Sequence, residues 1–271
     1  MIYHEGIPIW EVDLFIIGSI TIDSPISFDI RKELEHNEPF YSKIKIRNNQ
    51  NGFKITLTAF ANNSDLAEKA AVLFISRMLD VLVLKLNIPI SLNIDGNYFV
   101  SRKIQNSVRR KVDKNIFNDA FKEYRKLHLT DHKTYLRALS WFRKAKCTQD
   151  PIDKFLAFWN SIETVSNKYN PYRENCSGRG TICHIWECFK KVWGDCENWE
   201  FINGNSNWID ECNEIRRNIA HGIIPIEIQE IEKIINKINE VENVSHKFLS
   251  DWRNELLNTQ NLSYELQSRL D

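Results

Sequence analysis

Four side chains suited to handling a phosphodiester fall close together in Ile215-Arg216-Arg217-Asn218-Ile219-Ala220-His221-Gly222. A guanidinium grips phosphate oxygens through forked contacts. An imidazole trades protons near neutral pH. RNA carries its own nucleophile, the 2′-hydroxyl. Cutting it therefore asks for a group to take that proton, a donor for the leaving 5′-oxygen and positive charge on the phosphorane, with no metal or organic cofactor. One histidine and one or two arginines are an incomplete set for this, and a second chain facing the first would double it. The plainer alternative is that Arg216, Arg217 and Asn218 cap carbonyls or pair with Glu214 or Asp210, and that His221 is a helix-end histidine with no reaction to perform.

The stretch reads as the end of a helix running from Trp208 to His221. Gly222 supplies the αL position that closes a helix, and Pro225 prevents quick resumption. A histidine there sits beside orphan carbonyls and the negative end of the helix dipole, which favours its protonated form. Arg217 and His221 are four apart and share a face. Arg216 lies about 140° round from His221 on a regular helix, so the two converge only through a distorted last turn or across two chains. Trp208, Cys212, Ile215 and Ile219 form the expected buried stripe, which leaves both arginines and the histidine off the core face.

Arg-x4-His followed by glycine, in this setting, resembles the signature of the HEPN superfamily, helical domains found in RNA-cutting toxins and phage-defence proteins. The resemblance puts Arg216 at the arginine position and His221 at the histidine position. The family usually has Asn, Asp or His directly after the arginine; this chain has Arg217 there and Asn218 one place later. Asp153 to Glu163 likewise resembles the first long helix of HEPN domains of the ApeA-like kind, with Glu163 at the acidic position. The resemblance implies a homodimer with a composite cleft and products ending in a cyclic phosphate. His221 would then be general acid/base, Arg216 would hold the scissile phosphate, and Asn218 or Arg217 would orient them. The implied role is a metal-independent endoribonuclease in phage defence by abortive infection, or a toxin, with a possible partner protein or activator. Some HEPN domains bind or scaffold without cutting, so a non-catalytic RNA-binding or scaffold subunit of a defence complex is the rival expectation. The resemblance covers the C-terminal half and does not extend over the first half.

The 271 residues carry no net charge, so no global field draws the chain to nucleic acid or a membrane. Residues 101–146 depart from that balance, with fourteen Lys or Arg against four Asp or Glu. Arg102, Lys103, Arg109, Arg110, Lys111 and Lys114 are the densest part, and Phe117, Phe121, Tyr124, Tyr135, Trp141 and Phe142 interleave. This is either a phosphate-binding surface, with Arg109, Arg110 and Lys111 as RNA contacts, or a solvated face backed by core aromatics. Arg173 and Arg179, in a polar loop from Tyr169 to Gly180, are further candidates for the RNA backbone, against the reading that they are simply solvated.

Six cysteines, at 147, 176, 183, 188, 196 and 212, are expected to be reduced thiols in an intracellular chain. The spacing of Cys176, Cys183, Cys188 and Cys196, with His184 among them, matches no common zinc site. The N-terminus lacks a secretory signal, and the apolar run from Ala70 to Leu84 is interrupted by Arg77 and Asp80, so a cytoplasmic protein without membrane contact is expected. No Walker A loop, GxGxxG after a strand, HExxH or GxSxG is present.

The expected fold class is α+β in two domains. Residues 1–127 read as a mixed α/β domain that senses, binds a partner or assists assembly. Its strands lie at Leu14–Ile22, Ile44–Ile46, Phe53–Ala59 and Ile90–Ile94. Asn51-Gly52 and Asp95-Gly96 are turns, and one long helix runs from Leu66 to Leu86 behind caps in Asn62 to Asp65. Residues 128–271 read as an all-α HEPN-like bundle. Its helices are capped by Thr130-Asp131 and by Asp150-Pro151, run over Ile182–Val192 and Trp208–His221, and end in a long helix from Glu227 to about Leu257. That last stripe is Ile228, Ile231, Ile235, Ile238, Val241, Val244, Phe248 and Trp252.

Overall fold

The computed structural model describes residues 7–28, 40–93, 108–178, 180–220 and 228–258, with only the backbone for Phe40, Tyr41, Ser42, Ile228 and Glu230. The chain is α+β and divides into two compact units. Unit one comprises residues 1–83 and 88–121, and unit two residues 84–87 and 122–271.

In unit one, β1 (Ile9–Gly18), β3 (Ile26–Phe28), β4 (Phe40–Asn49), β5 (Gly52–Phe60) and β6 (Ile90–Asn93) form an antiparallel sheet in the order β3-β4-β5-β1-β6. A short parallel ladder joins β2 (Ile20–Thr21) to β7 (Arg110–Lys111). Period-two alternation makes the sheet two-faced. Leu14, Ile16, Ile44, Ile46, Phe53, Ile55, Leu57 and Ala59 are all buried. Gln50 and Asn51 make the turn between β4 and β5, so the Asn51-Gly52 signal marks the hairpin one place late. Gly52 is irreplaceable for a different reason: at φ +150° a Cβ would sit 2.1 Å from the Ile16 carbonyl oxygen of β1.

α1 (Ser64–Leu86) begins where the Asn63 side chain accepts from the Leu66 N–H at 2.8 Å. A second helix, α2 (Lys114–Leu129), was not legible as a separate element in the basic segment. Its Phe117 meets Phe53 at 5.4 Å, and its Phe121 bridges Phe28 at 5.7 Å and Phe74 of α1 at 5.4 Å. Those rings join the buried sheet face to both helices. Phe117, Phe121, Tyr124, Tyr135 and Phe142 are buried, so these aromatics of the basic segment serve cores rather than a stacking surface.

Unit two has helices joined by turns and no strand among its described residues. α3 (Lys133–Cys147), α4 (Pro151–Tyr169), α5 (Gly180–Trp193), α6 (Trp208–Ala220) and α7 (Ile228–Asn258) follow the second half of α2. Asp150 caps α4, accepting from the Asp153 N–H at 2.9 Å, with Pro151 in the first turn, as the cap-then-proline order predicts. α3 differs from expectation: its N-cap is His132, because Asp131 turns left-handed at φ +59° and cannot enter the helix. α7 also shifts one stripe position. Ile234 is buried and Ile235 is 48% exposed, since the row through Ile238, Val241, Phe248 and Trp252 extends back by four, not three. The turn-rich stretch from Gly194 to Asn207 contains two 3₁₀ turns around Trp199, which is fully buried against Phe189 and Trp186.

Among the described residues, no helix is long and apolar enough to cross a membrane. The expected Asp95-Gly96 turn, Arg102, Lys103, Arg179, His221, Gly222, Pro225 and the tail beyond Asn258 lie outside the described residues.

Candidate functional site

α6 carries the arginine pair, and its first turn fixes where they go. Trp208 is fully buried between Trp159 of α4, at 6.0 Å between ring centroids, and Phe189 of α5, at 6.3 Å. Cys212, one turn on, is buried too, and burial pushes its thiol far above the ordinary range. The stripe then thins: Ile215 and Ile219 are only half-buried, so the helix emerges from the core toward its C-terminal end. Glu211 ties α6 to α7 through Lys237, at 3.0 Å, and Lys237 also reaches Glu240 at 2.6 Å. The Lys237 hydrogen bond holds the Glu211 carboxyl below its usual range.

Arg216 is one turn beyond Cys212. Its Nε lies 3.5 Å from Oε1 of Glu163, one turn beyond Trp159 on α4. The same carboxylate oxygen accepts the Trp159 indole N–H at 2.9 Å. Trp159 thus does two jobs, packing the start of α6 and orienting the carboxylate that meets Arg216. Glu163 has 12% of its side chain exposed and Arg216 has 35%. The acid is mostly covered, and the cation reaches solvent. A guanidinium has five N–H donors, so engaging Nε leaves the outer fork for another anion.

The described ion pair of Arg216 is therefore to Glu163 and not to Glu214 or Asp210. Glu214 is two residues away and points to another face of α6. Arg217 is exposed and Asn218 half-buried, both in the last turn. His221 is the next residue after α6 and lies outside the described residues.

Most of the other described candidates have local partners of their own. Arg173 donates through Nη2 to the Asn167 carbonyl at 2.8 Å, a cation on the last turn of α4, which is a helix-capping role. Arg109, Arg110 and Lys111 belong to unit one. Arg109 donates to the Gln50 carbonyl at 2.7 Å, Lys111 pairs with Asp23 at 2.8 Å, and Arg110 is exposed on β7. Arg109 and Lys111 thus pin the β2–β7 ladder beside the hairpin.

The expectation of six reduced thiols is corrected. Cys176 and Cys183 form a disulfide between the 3₁₀ turn after α4 and the first turn of α5, with Cα atoms 5.5 Å apart. Compartment arguments speak to whole chains, whereas bridging depends on whether two Cα atoms come within reach. Asn170, buried at the end of α4, organises the junction. Its amide nitrogen lies 3.4 Å from Cys176 Sγ and 2.9 Å from His184 Nδ1, and its oxygen accepts from the Tyr172 N–H at 2.8 Å. Among the described residues no group of three His, Cys, Asp or Glu side chains is placed to hold a metal ion.

Glu163 is the site residue that motif reading underused. Its signal was present in the spacing Trp159-x3-Glu163, which puts the ring and the carboxylate on one face of α4. Compared with family models, with curated proteins and with solved structures, the chain matches none.

Proposed function

We propose that the chain is a HEPN-type endoribonuclease that cuts RNA by attack of the 2′-hydroxyl, at a composite site between two copies, in phage defence or as a toxin. The observation that supports this reading is the Arg216–Glu163 pair: an arginine at the exposed end of α6, aimed by a mostly covered carboxylate that Trp159 orients. Arg216 neutralises charge on the scissile phosphate and its transition state. His221 takes or gives the proton. Asn218 or Arg217 orients them from the same last turn. The reaction asks for no cofactor. Two chains supply two histidines, one for each proton transfer.

The same ion pair also favours a second reading. An arginine tied to a neighbouring helix is a structural clamp, and a non-catalytic RNA-binding or scaffold subunit of a defence complex would keep it. One assay separates the two. Purified protein is incubated with RNA in EDTA and compared with His221→Ala. Cleavage that persists in EDTA and vanishes in the variant is the nuclease outcome; RNA bound and left whole is the scaffold outcome. Should the enzyme require an activator, growth arrest on expression, lost in His221→Ala, reads out the same activity in cells.

A further inference from the structure

The second face of the sheet in unit one is cationic and open. Alternation in β4 sends Ile44 and Ile46 into the core and Lys43, Lys45 and Arg47 the other way. The ladders extend this face across the sheet. Lys45 opposes Thr56, which opposes Asp13; Lys43 opposes Thr58, which opposes Glu11; Arg47 opposes Lys54, which opposes Phe15. Lys43, Arg47, Glu11 and Asp13 are exposed, and Lys45, Lys54, Thr56, Thr58 and Phe15 are half-exposed.

This pattern costs the fold something. Arg47 directly opposite Lys54 is a like-charge cross-strand pair, which is destabilising in a ladder. The sheet relieves one of them: Lys54 pairs with Asp13 at 2.7 Å and lies 5.9 Å over the Phe15 ring. Asp13 also accepts from Thr56 at 2.7 Å, so its carboxylate is committed. Lys45 and Arg47 have no ion pair among the described residues. Lys45 and Arg47 therefore keep uncompensated positive charge on β4, with an aromatic ring two strands away.

Alternate residues of an extended strand stand about 6.8 Å apart, comparable to neighbouring phosphates of a stretched single strand. Half-exposed threonine hydroxyls lie beside the cations, and Phe15 offers a flat ring on which any base can stack once the Lys54 ammonium over it swings aside. An acidic peptide would use the charges and leave the ring idle. We propose that this sheet face binds single-stranded RNA, with Lys45 and Arg47 along the phosphates and Phe15 under a base. The choice of RNA over DNA rests on the nuclease reading; binding itself asks nothing of Arg216 or His221.

The test uses the full chain and a labelled 2′-fluoro-oligouridine, which keeps phosphates and bases and cannot be cut by its own 2′ group. Lys45→Glu with Arg47→Glu weakens binding by at least about tenfold and lowers the salt slope by about 1.4, roughly 0.7 for each lost phosphate contact. Phe15→Leu, which keeps apolar bulk, weakens binding about fivefold or more and leaves the salt slope unchanged. Lys45→Gln with Arg47→Gln keeps the fold neutral at these surface positions and moves affinity in the same direction. Unchanged affinity in both charge variants overturns the proposal. So does competition by polyglutamate or duplex RNA as strong as by the single strand, or tighter binding of the matching DNA oligomer. Because the probe is uncleavable, these results stand apart from any failure of the nuclease assay.

Discussion

Glu163 is the hinge of the residue-scale account. It accepts the Trp159 indole N–H and faces Arg216 with little of its side chain exposed. Glu163→Ala strands the indole donor and costs about 1–3 kcal/mol of stability, measured as a shift in urea midpoint; Glu163→Gln keeps an acceptor and costs less. In the cleavage assay both variants lose rate, because Arg216 is no longer aimed, and the loss exceeds the change in RNA affinity. Equal stability for the Ala and Gln variants contradicts the hydrogen-bond account. Tyr135 gives a second reading at this scale. Its hydroxyl donates to the Leu249 carbonyl at 2.6 Å, and complete burial pushes its pKa well above the ordinary value, with Glu123 adding to the effect. A folded-state pKa raised above the unfolded one means stability is fully present below about pH 10 and falls as pH climbs beyond it. Comparing the unfolding free energy of the parent and Tyr135→Phe across that range isolates the contribution: the difference between them shrinks as pH rises. Arg216 stood out at this scale by residue type and spacing alone, and the structure adds its carboxylate partner. Glu163 was legible only as a place in a pattern, since its partner comes from a helix far away in sequence.

At the scale of elements, periodicity read well where one face decides. The alternation in β5 and the cap-then-proline start of α4 are found as the sequence indicates. It read poorly where local chemistry is overridden. α2 hides in a basic run because its Phe117 and Phe121 are spaced for a core that lies elsewhere in the chain. The α7 stripe drifted because Ile234 and Ile235 are equally apolar and only packing chooses between them. The Cys176–Cys183 bridge was invisible because pairing depends on the turn between α4 and α5. That bridge makes a direct prediction. Alkylation of native protein without reductant, followed by mass spectrometry, finds Cys176 and Cys183 joined, with buried Cys188 unreacted because burial pushes its thiol up to about 12. Cys147 and Cys196, each half-buried, react first. Replacing both bridged cysteines by serine costs roughly 2 kcal/mol for so short a loop. Free thiols at both positions in freshly isolated protein contradict the bridge.

At the scale of the molecule, each unit carries its own organising device. Unit one spends ladder stability to hold cations on one sheet face. Unit two buries a charge cluster: Glu123, 5% exposed, takes a forked contact from Arg253 and meets Lys85 at 3.1 Å. Glu123→Ala leaves two cations facing each other and destabilises the protein by about 3 kcal/mol, the low end for a broken buried pair because both cations are partly solvated. Chemical denaturation measures it, and a change below about 1 kcal/mol contradicts a structural role for the cluster. The α+β class was legible from the shift between period two and period 3.6 along the chain.

The central claim is that Arg216 and His221 together break RNA through its own 2′-hydroxyl. The most direct measurement is the chemical end of the product. RNA incubated with the protein in EDTA is analysed by mass spectrometry for a 2′,3′-cyclic phosphate, beside Arg216→Ala, His221→Ala and Arg217→Ala. The account predicts cyclic phosphate ends from the parent, fewer of them from Arg217→Ala, whose arginine only orients the other groups, and a loss of at least about a hundredfold in the other two. Products ending in a 3′-hydroxyl, or cyclic ends formed as fast by His221→Ala, would contradict it.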